Sequence, residues 1–307
     1  MDQLNAMRVF VAVVEAQGFS AASRALCKPL PTVSRKIAEL EGQLGAQLFI
    51  RSTRKVTVTD TGRRYYDAVR QILEDVDDAE RQASGEYQRA TGLLSITAPS
   101  MFGQLHVLPI VNEFMRVHEE IEVRLLFTKN HLLDLPEDQI NLAVRIGDLT
   151  ASSMDIMQAG TIRQIVCASP AYLRANGSPS CPADVAKHRC VAFSRSGSQF
   201  PWTFKLPSGK IQDTLVRSRL LLNSAEGVVD SVLQDCGLAQ LYSYQVAPHV
   251  LAGNLKIILS EFEIVPQPLN LVVLHGQHVP QKVKAFIDFA MPALRKRLTN
   301  VSAMCDA

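Results

Sequence analysis

The sequence predicts a multidomain chain with a small, mainly helical N-terminal domain, a long connecting helix and a larger C-terminal α/β domain. Three observations predict this division. Residues 1–59 combine helical apolar periodicity with a basic turn, and residues 60–90 carry one narrow apolar stripe on a highly charged stretch. From residue 91 onwards, short apolar runs alternate with helical segments, which is typical of α/β folds. A length of 307 residues agrees with about two domains.

Composition narrows the class of protein. The formal net charge is only +2, so any affinity for nucleic acid has to come from local basic surfaces. The start Met1-Asp2-Gln3 lacks the pattern of a signal peptide, and no segment approaches the roughly 18 apolar residues of a membrane span. We therefore expect a soluble, cytoplasmic protein that does not contact a membrane. The six cysteines are scattered, which favours a reduced compartment.

The first helix is predicted from apolar residues at helical spacing near the N-terminus. Gln17-Gly18 ends this helix. Its buried face is predicted to consist of Leu4, Met7, Phe10, Val11 and Val14.

A tight turn between two further helices is predicted next. Ser20 to Leu26 form a short alanine-rich helix, with Ser20 as its N-cap. The run Lys28-Pro29-Leu30-Pro31 predicts the turn, and Pro31 suits the first turn of the following helix. That helix is amphipathic and ends at Gly45, a natural C-cap. Its buried positions are predicted to be Val33, Ile37, Leu40 and Leu44.

A basic hairpin completes this domain. Leu48-Phe49-Ile50 and Val56-Thr57-Val58 are predicted strands on either side of Arg51 to Lys55. Helix, turn, helix and basic wing is the layout of a winged helix-turn-helix, which places the start of its second helix in the major groove of DNA. The alternative for the wing is an ordinary solvated loop. The predicted DNA contacts are Thr32, Ser34, Arg35 and Lys36 on the helix, and Arg51, Arg54 and Lys55 on the wing.

The stretch 60–90 predicts a dimerisation helix. Thr59 can cap it, and apolar residues then follow alternating steps of three and four, as in a coiled coil broken once by Glu80. A long helix with a single narrow stripe needs a partner, so we expect a homodimer. The alternative is that the stripe packs on the chain's own C-terminal domain. The expected dimer contacts are Tyr66, Val69, Leu73, Val76 and Ala83, and Tyr87 continues the pattern.

The C-terminal half predicts an α/β fold with parallel strands. About 200 residues of this kind can form two lobes with a cleft between them. Predicted strands are Leu93–Thr97, Val123–Phe127, Ile140–Ile146 and Ile165–Ala168, and predicted helices are Leu105–His118 and Ser224–Gly237.

These residues together resemble the LysR-type transcriptional regulators. The resemblance rests on Phe19-Ser20-Ala21-Ala22, Pro31-Thr32-Val33-Ser34-Arg35, Leu44-Gly45, Leu48-Phe49 and Thr59-x-x-Gly62, with later landmarks at Leu142–Gly147 and Cys167–Tyr172. It implies a dimer or tetramer that binds promoter DNA and responds to a small inducer, and it adds Ser20 and Pro31 to the DNA contacts. Many members carry Ser and Gln where this chain has Pro29 and Leu30. Leu30 can offer only apolar contact, for example to a thymine methyl.

The resemblance also implies domain boundaries and an effector cleft. The DNA-binding domain spans 1–59, the linker helix 60–90 and the effector domain 91–307, whose fold is like that of periplasmic solute-binding proteins. Lobe one comprises about 91–164 and 266–300, and lobe two about 165–265. A cap, a surface ion pair or a turn would explain several of the cleft candidates equally well. The cleft candidates are Ser100, Met101, Arg145, Ile146, Ser169, Asn223 and Leu241, with Pro170 and Tyr242 beside them.

Enzymatic chemistry is not predicted. The sequence has no G-x-S-x-G, H-E-x-x-H, Walker A or G-x-G-x-x-G motif, so we expect neither catalysis nor a cofactor or metal. A redox switch between Cys181 and Cys190 is an alternative mode of regulation, and a solute-binding protein is an alternative function. The expected partners are double-stranded promoter DNA, a second copy of the chain, an unidentified small-molecule effector and RNA polymerase. Effector, operator and the direction of regulation are not predicted.

Overall fold

The computed structural model describes residues 2–51, 56–84, 90–128, 140–149, 155–194, 201–273 and 279–306. They form two compact units, one within Met1–Leu93 and the other within Leu94–Asp134 and Ile140–Ala307. The helices are α1 Gln3–Glu15, α2 Phe19–Ala25, α3 Leu30–Leu44, α4 Asp60–Ser84, α5 Ser100–Phe102, α6 Leu108–Val117, α7 Pro170–Asn176, α8 Ala225–Leu233, α9 Ser243–Leu251 and α10 Gln281–Asp306. The strands are β1 Phe49–Arg51, β2 Val56–Val58, β3 Gly92–Pro99, β4 Ile121–Thr128, β5 Leu142–Ile146, β6 Asp155–Ile162, β7 Gln164–Ala168, β8 Cys190–Phe193, β9 Trp202–Lys205, β10 Ile211–Thr214, β11 Ser218–Leu222, β12 Ala239–Tyr242, β13 Lys256–Ile258 and β14 Gln267–Val273. Among the described helices, none has the length and apolarity needed to cross a membrane.

The core of the first unit forms between α1, α3 and the wing. The buried face of α1 differs from the prediction, because Leu4 is 41% exposed and Val11 and Val14 are only partly buried. Phe10 shows which face of α1 is buried, because the centroids of the Phe10 and Phe49 rings lie 5.4 Å apart. Leu44, the last residue of α3, is also exposed instead of buried. The buried core residues are Ala6, Val9, Phe10, Val13, Ala22, Val33, Ile37, Leu40, Leu48 and Phe49.

The wing is attached to α3 by a side chain as well as by the connecting turn. β1 and β2 pair antiparallel, with Phe49 opposite Val58, as the sequence predicts. The Glu41 carboxylate accepts hydrogen bonds from the backbone N–H groups of Leu48 (2.8 Å) and Phe49 (3.1 Å). Gly45 ends α3 in the left-handed conformation, at φ 61°. Together these contacts fix where the hairpin leaves the helix.

The start of α4 is closely fitted to the wing. The Thr59 hydroxyl accepts a hydrogen bond from the Gly62 backbone N–H (2.9 Å), which confirms the predicted cap. It also donates to the Gln47 carbonyl (2.8 Å). A Cβ on Gly62 would lie 2.2 Å from the Leu48 carbonyl oxygen, so this position requires glycine.

The predicted dimer seam is largely used inside one chain. Val69 is 0% exposed and Leu73 is 9% exposed, and both pack against Met7 of α1. Since α1 already covers these two residues within one chain, their contact with a second copy stays a prediction. The Tyr66 hydroxyl is engaged with the Glu15 carboxylate at 3.0 Å. Val76 is half-buried, while the Ala83 side chain and Tyr87 lie outside the described part of the chain.

The second unit contains two main sheets. One has five strands in the order β4-β3-β5-β14-β6, and the other has three in the order β12-β7-β13. β3 and β5 are parallel, but β14 runs antiparallel to both β5 and β6. In the smaller sheet, β12 and β13 are both antiparallel to β7. The expectation of parallel strands is therefore wrong for much of the unit, because β14 returns antiparallel to its neighbours in the larger sheet and both outer strands of the smaller sheet run against β7.

The chain passes between these two sheets, and thus between the two lobes, at two neighbouring places. Arg163 lies between β6 of the first sheet and β7 of the second, and Glu263 precedes the return through β14. The Arg163 guanidinium donates to both carboxylate oxygens of Glu263, at 2.8 and 2.9 Å. It also contacts the Asp306 carboxylate at the end of α10, at 2.6 Å. An ion-pair cluster therefore ties the two crossover segments together.

Candidate nucleic-acid interface and ligand pocket

The first turns of α3 present a polar face opposite a buried one. Val33 and Ile37 are fully buried, whereas the Arg35 side chain is 73% exposed. The Arg35 Nε atom lies 3.7 Å from a carboxylate oxygen of Glu39, one turn further along the helix. An exposed pair of this type is worth little, so the guanidinium can exchange this partner for a phosphate or a base edge.

The backbone, and not a side chain, closes the first turn of α3. Pro29 is the N-cap, and its carbonyl accepts hydrogen bonds from Thr32 (2.9 Å) and Val33 (3.2 Å). Pro31 lies in the first turn, as predicted, and is exposed. Leu30 is the first residue of the helix and is also exposed, so its apolar side chain is available for contact.

Ser20 does not cap α2. The helix begins one residue earlier, at Phe19, and Gly18 is its N-cap without a side-chain hydrogen bond. The ring of Phe19 packs edge-on against Phe49, with 5.4 Å between the centroids, which explains the earlier start. Ser20 is exposed within the helix. Its predicted role as a cap is therefore wrong, while its role as a DNA contact stays a prediction.

Other predicted contacts differ in how they are placed. Thr32, Ser34 and Lys36 are half-buried on α3. The backbone of Arg51 ends β1, but its side chain, like Arg54 and Lys55, lies outside the described part. Arg24, a basic residue that the sequence reasoning did not single out, is exposed in the last turn of α2 directly before the turn into α3.

The second unit contains a cavity of about 370 Å³ between its two lobes. Four cleft candidates line it, namely Ser100, Met101, Asn223 and Leu241, and Tyr242 joins them. The wall residues that sequence reasoning missed are mostly polar or aromatic. They are Thr128, Gln164, Phe193, Trp202, Ser224, Glu226, Gln240, Tyr244 and Gln245, with Pro99, Pro201 and Ala225.

Helix starts and strand ends place the polar wall groups. Ser224 caps α8, because its hydroxyl accepts a hydrogen bond from the Gly227 backbone N–H (3.2 Å) and donates to the Glu226 carboxylate (2.7 Å). The side chains of Gln164 on β7 and Gln240 on β12 are joined by a 3.2 Å hydrogen bond. The Tyr242 hydroxyl donates to the Gln267 side-chain oxygen (3.1 Å), at the start of the return crossover. The cavity wall is thus hydrogen-bonded to the crossover region.

Aromatic rings form one side of the cavity. Tyr244 is buried, its ring stacks on Tyr242 with 6.0 Å between centroids, and it meets Phe102 edge-on at 5.1 Å. Burial raises the pKa of the Tyr244 hydroxyl, so it stays protonated at neutral pH. His106, within the π-helical turn Gly103–Val107, packs against Phe102 and Tyr244. Burial, assisted by the charge of Arg297, lowers the pKa of His106 to about 4.

Three cleft candidates do not line the cavity. Arg145 is 5% exposed on the central strand β5, where its guanidinium donates to the Val144 carbonyl (2.9 Å) and burial lowers its pKa. Ile146 is on the same strand and pairs with Leu269. The Ser169 hydroxyl caps α7 by accepting from the Tyr172 backbone N–H (3.0 Å) and also bonds to the Asp235 carboxylate. Packing between strands and helix capping account for the positions of these residues, and their role in effector binding stays a prediction.

The comparisons with known proteins match both units. A family model described as "Bacterial regulatory helix-turn-helix protein, lysR family" matches residues 4–63, and "LysR substrate binding domain" matches residues 88–295. The chain is 31% identical over 309 residues to an HTH-type transcriptional regulator of Xanthomonas campestris, covering 99% of this chain and 89% of that protein. The chain belongs to the LysR family of transcriptional regulators.

Other LysR-type proteins agree in sequence and in fold. A probable HTH-type transcriptional regulator, LtrA of Klebsiella pneumoniae, is 28% identical and covers 98% of each chain. The full-length structure of the Vibrio cholerae virulence activator AphB has a TM-score of 0.60 at 25% identity, covering 94% of this chain and 98% of that one. The structure of CrgA from Neisseria meningitidis has the same fold, with a TM-score of 0.55 at 24% identity and 98% of both chains covered.

Membership in the LysR family defines what the molecule does. The chain is a transcriptional regulator with a DNA-binding helix-turn-helix domain and an effector-binding domain, and it is not an enzyme. LysR-type regulators bind promoter DNA and small-molecule effectors, and they act as oligomers. The predictions of fold class, family and function are thereby confirmed.

The geometry of this regulator does not favour a cysteine switch. Cys190 is buried in the core of lobe two, and burial raises its thiol pKa to about 12. A protonated, covered thiol is a poor nucleophile. The Cys181 thiol donates a hydrogen bond to the Asp184 carboxylate at 3.5 Å. Within the described ranges, no group of three or more His, Cys, Asp or Glu side chains could hold a metal ion.

Proposed function

We propose that the exposed face at the start of α3 enters the major groove of promoter DNA. The observation that carries this proposal is the orientation of α3. Val33 and Ile37 hold one face in the core, and Arg35 is 73% exposed on the other. Thr32, Ser34 and Lys36 flank it on the same first turns, and Leu30 can meet a thymine methyl. Arg51, Arg54 and Lys55 of the wing contact the phosphate backbone in this proposal.

Arg35→Ala tests the contact of α3 with DNA. Loss of one bidentate base contact costs about 1–3 kcal/mol, so we expect affinity to fall roughly 5- to 150-fold. The measurement is a gel-shift titration on a DNA fragment that the wild-type chain selects from a random library. Arg174→Ala is the matched control, because Arg174 is an exposed arginine on α7 of the other unit. Unchanged affinity of Arg35→Ala would remove this residue from the interface.

We propose that the cavity in the second unit is the effector site. Its wall combines residues of lobe one, such as Ser100 and Thr128, with residues of lobe two, such as Asn223 and Leu241. A ligand that bridges the lobes and binds one lobe orientation more tightly would shift the equilibrium between the two. Tyr242 and Gln164 link this wall to the crossovers beside Arg163.

We propose that the homodimer uses the exposed side of α4, which includes Val76 of the predicted seam. Ile72 is 43% exposed, and Val76 lies one turn further along the helix and is half-buried. For assembly beyond the dimer, exposed apolar side chains of the second unit offer another surface, including Leu105, Leu108 and Met115. We also propose that the chain assembles into a homotetramer and that it contacts RNA polymerase at the promoter.

A further inference from the structure

Glu226 gives the cavity its charge. Among the described residues that line the cavity, it is the one charged side chain, and none of the others is Lys, Arg or His. The remaining polar groups are neutral amides and hydroxyls. The wall formed by the described residues is therefore negative.

The Glu226 carboxylate is oriented by a hydrogen bond, and among the described residues it has no counter-ion. Its hydrogen-bond partner is the Ser224 hydroxyl, at 2.7 Å. Over the part of the chain that the structure describes, no basic side chain lies within salt-bridge distance of Glu226. The side chain is half-buried at the start of α8, so its charge is partly removed from water. A partly buried carboxylate gains most from a ligand that brings a positive charge and hydrogen-bond donors.

The surroundings of Glu226 suit an organic cation. Burial raises the pKa of Tyr244 most, followed by the charge of the neighbouring Tyr242, and the charge of Glu226 raises it further. The Glu226 carboxylate therefore acts on the aromatic side of the cavity. The faces of Tyr rings attract ammonium groups, and Tyr242 and Tyr244 both line the cavity. Gln164, Gln240 and Gln245 provide neutral donors and acceptors for the rest of a ligand.

We infer that the effector is a small molecule with a protonated amine, whose ammonium group pairs with Glu226 while its body lies against the aromatic and amide side chains. This inference rests on the proposed function, in which the cavity is the effector site. A volume of about 370 Å³ is near the lower end for small-molecule sites, which limits the ligand to a small compound. A carboxylate ligand is disfavoured, since its charge would face that of Glu226.

Matched compounds test the charge preference directly. The full-length wild-type regulator is screened by thermal shift, then by calorimetry, against phenethylamine, phenethyl alcohol and phenylpropanoate. Tryptamine, tryptophol and indolepropanoate form a second set. At least one amine should raise Tm by mass action, with a smaller effect of its alcohol and none of its acid. A larger effect of the acids, or no effect of either amine, would overturn the inference.

Glu226→Gln locates the effect. This variant keeps the shape of the side chain and its bond to Ser224, and we expect it to lower amine affinity roughly 10- to 100-fold while leaving the affinity for the alcohol similar. Glu119→Gln is the control, because Glu119 is an exposed glutamate after α6 and does not line the cavity. Equal amine affinity in the wild type and Glu226→Gln would refute the site. Gel shifts of the same samples measure DNA binding separately. If the acids stabilised the protein, the cavity would remain the proposed effector site, but the inference of an amine effector would be refuted.

Discussion

The burial of His106 leads us to predict that acid destabilises the second unit. Its ring lies among Phe102, Tyr244 and the charge of Arg297, and neither ring nitrogen has a hydrogen-bond partner among the described residues. Its pKa falls from 6.5 to about 4 in the folded state. The unfolded chain therefore binds this proton first as the pH drops, so the free energy of unfolding decreases below pH 6.5 and levels off below about 4.

The magnitude follows from the size of this pKa shift. A difference between 6.5 and about 4 corresponds to about 3 kcal/mol at most. His106→Phe keeps the ring among its aromatic neighbours and removes the proton acceptor. We expect the variant to lose this part of the pH dependence and to be more stable at neutral pH, because two unsatisfied nitrogens are removed.

Urea unfolding at a series of pH values provides the assay. The single tryptophan, Trp202, is buried in the second unit and reports its unfolding by fluorescence. His118→Phe is the control, because His118 is the C-cap residue of α6 and packs against Phe114, away from the ring cluster of Phe102 and Tyr244 around His106. If the wild type and His106→Phe lost stability in parallel between pH 6.5 and 4, the explanation from His106 burial would be refuted.

Two further predictions concern the first unit. Gly62→Ala should destabilise this unit by about 1–3 kcal/mol, because the added methyl group would lie 2.2 Å from the Leu48 carbonyl oxygen. Chemical denaturation would measure the change in stability. An unchanged midpoint of unfolding would contradict the close contact. Ile72→Arg should weaken the dimer by roughly tenfold or more while leaving the unit folded, because the residue is exposed in one chain and covered in the proposed dimer. Sedimentation at several protein concentrations would measure the dissociation of the dimer. Asp67→Arg, at a half-buried position on the same helix, is the control. If both variants and the wild type dissociated equally, the Ile72 surface would be excluded as the dimer interface.

Local patterns predicted the N-terminal elements well. The periodicity of Val33, Ile37 and Leu40, together with Gly45, defined the end and the buried face of α3. The same reasoning misplaced the buried face of α1, because the small residue Ala6 carries no strong apolar signal although it packs at the centre. Sequence spacing also cannot distinguish a stripe that packs on a second copy from one that packs on α1, which is why it did not reveal that Val69 packs on α1.

Contacts between residues far apart in the sequence determine which side chains line the cavity, and the sequence predicted only some of these side chains. Ser100 was predicted from its place at a likely helix start, and Asn223 from the family resemblance. Gln164 and Gln240 are polar residues within apolar strands, a signal that was available, but their meeting depends on the antiparallel pairing of β7 with β12. Arg145 was also a candidate, but it does not line the cavity, because its strand is enclosed by the neighbouring strands β3 and β14.

The central claim is that α3 reads DNA sequence while basic side chains bind phosphates. The most direct measurement titrates the wild type and Arg35→Ala with selected and scrambled DNA at several salt concentrations. For the wild type, we predict tighter binding to the selected DNA, with both affinities falling as salt rises. Arg35→Ala should reduce the preference for the selected sequence more than it reduces binding to scrambled DNA. Equal affinity of the wild type for both DNAs, or a preference that Arg35→Ala leaves intact, would contradict the account.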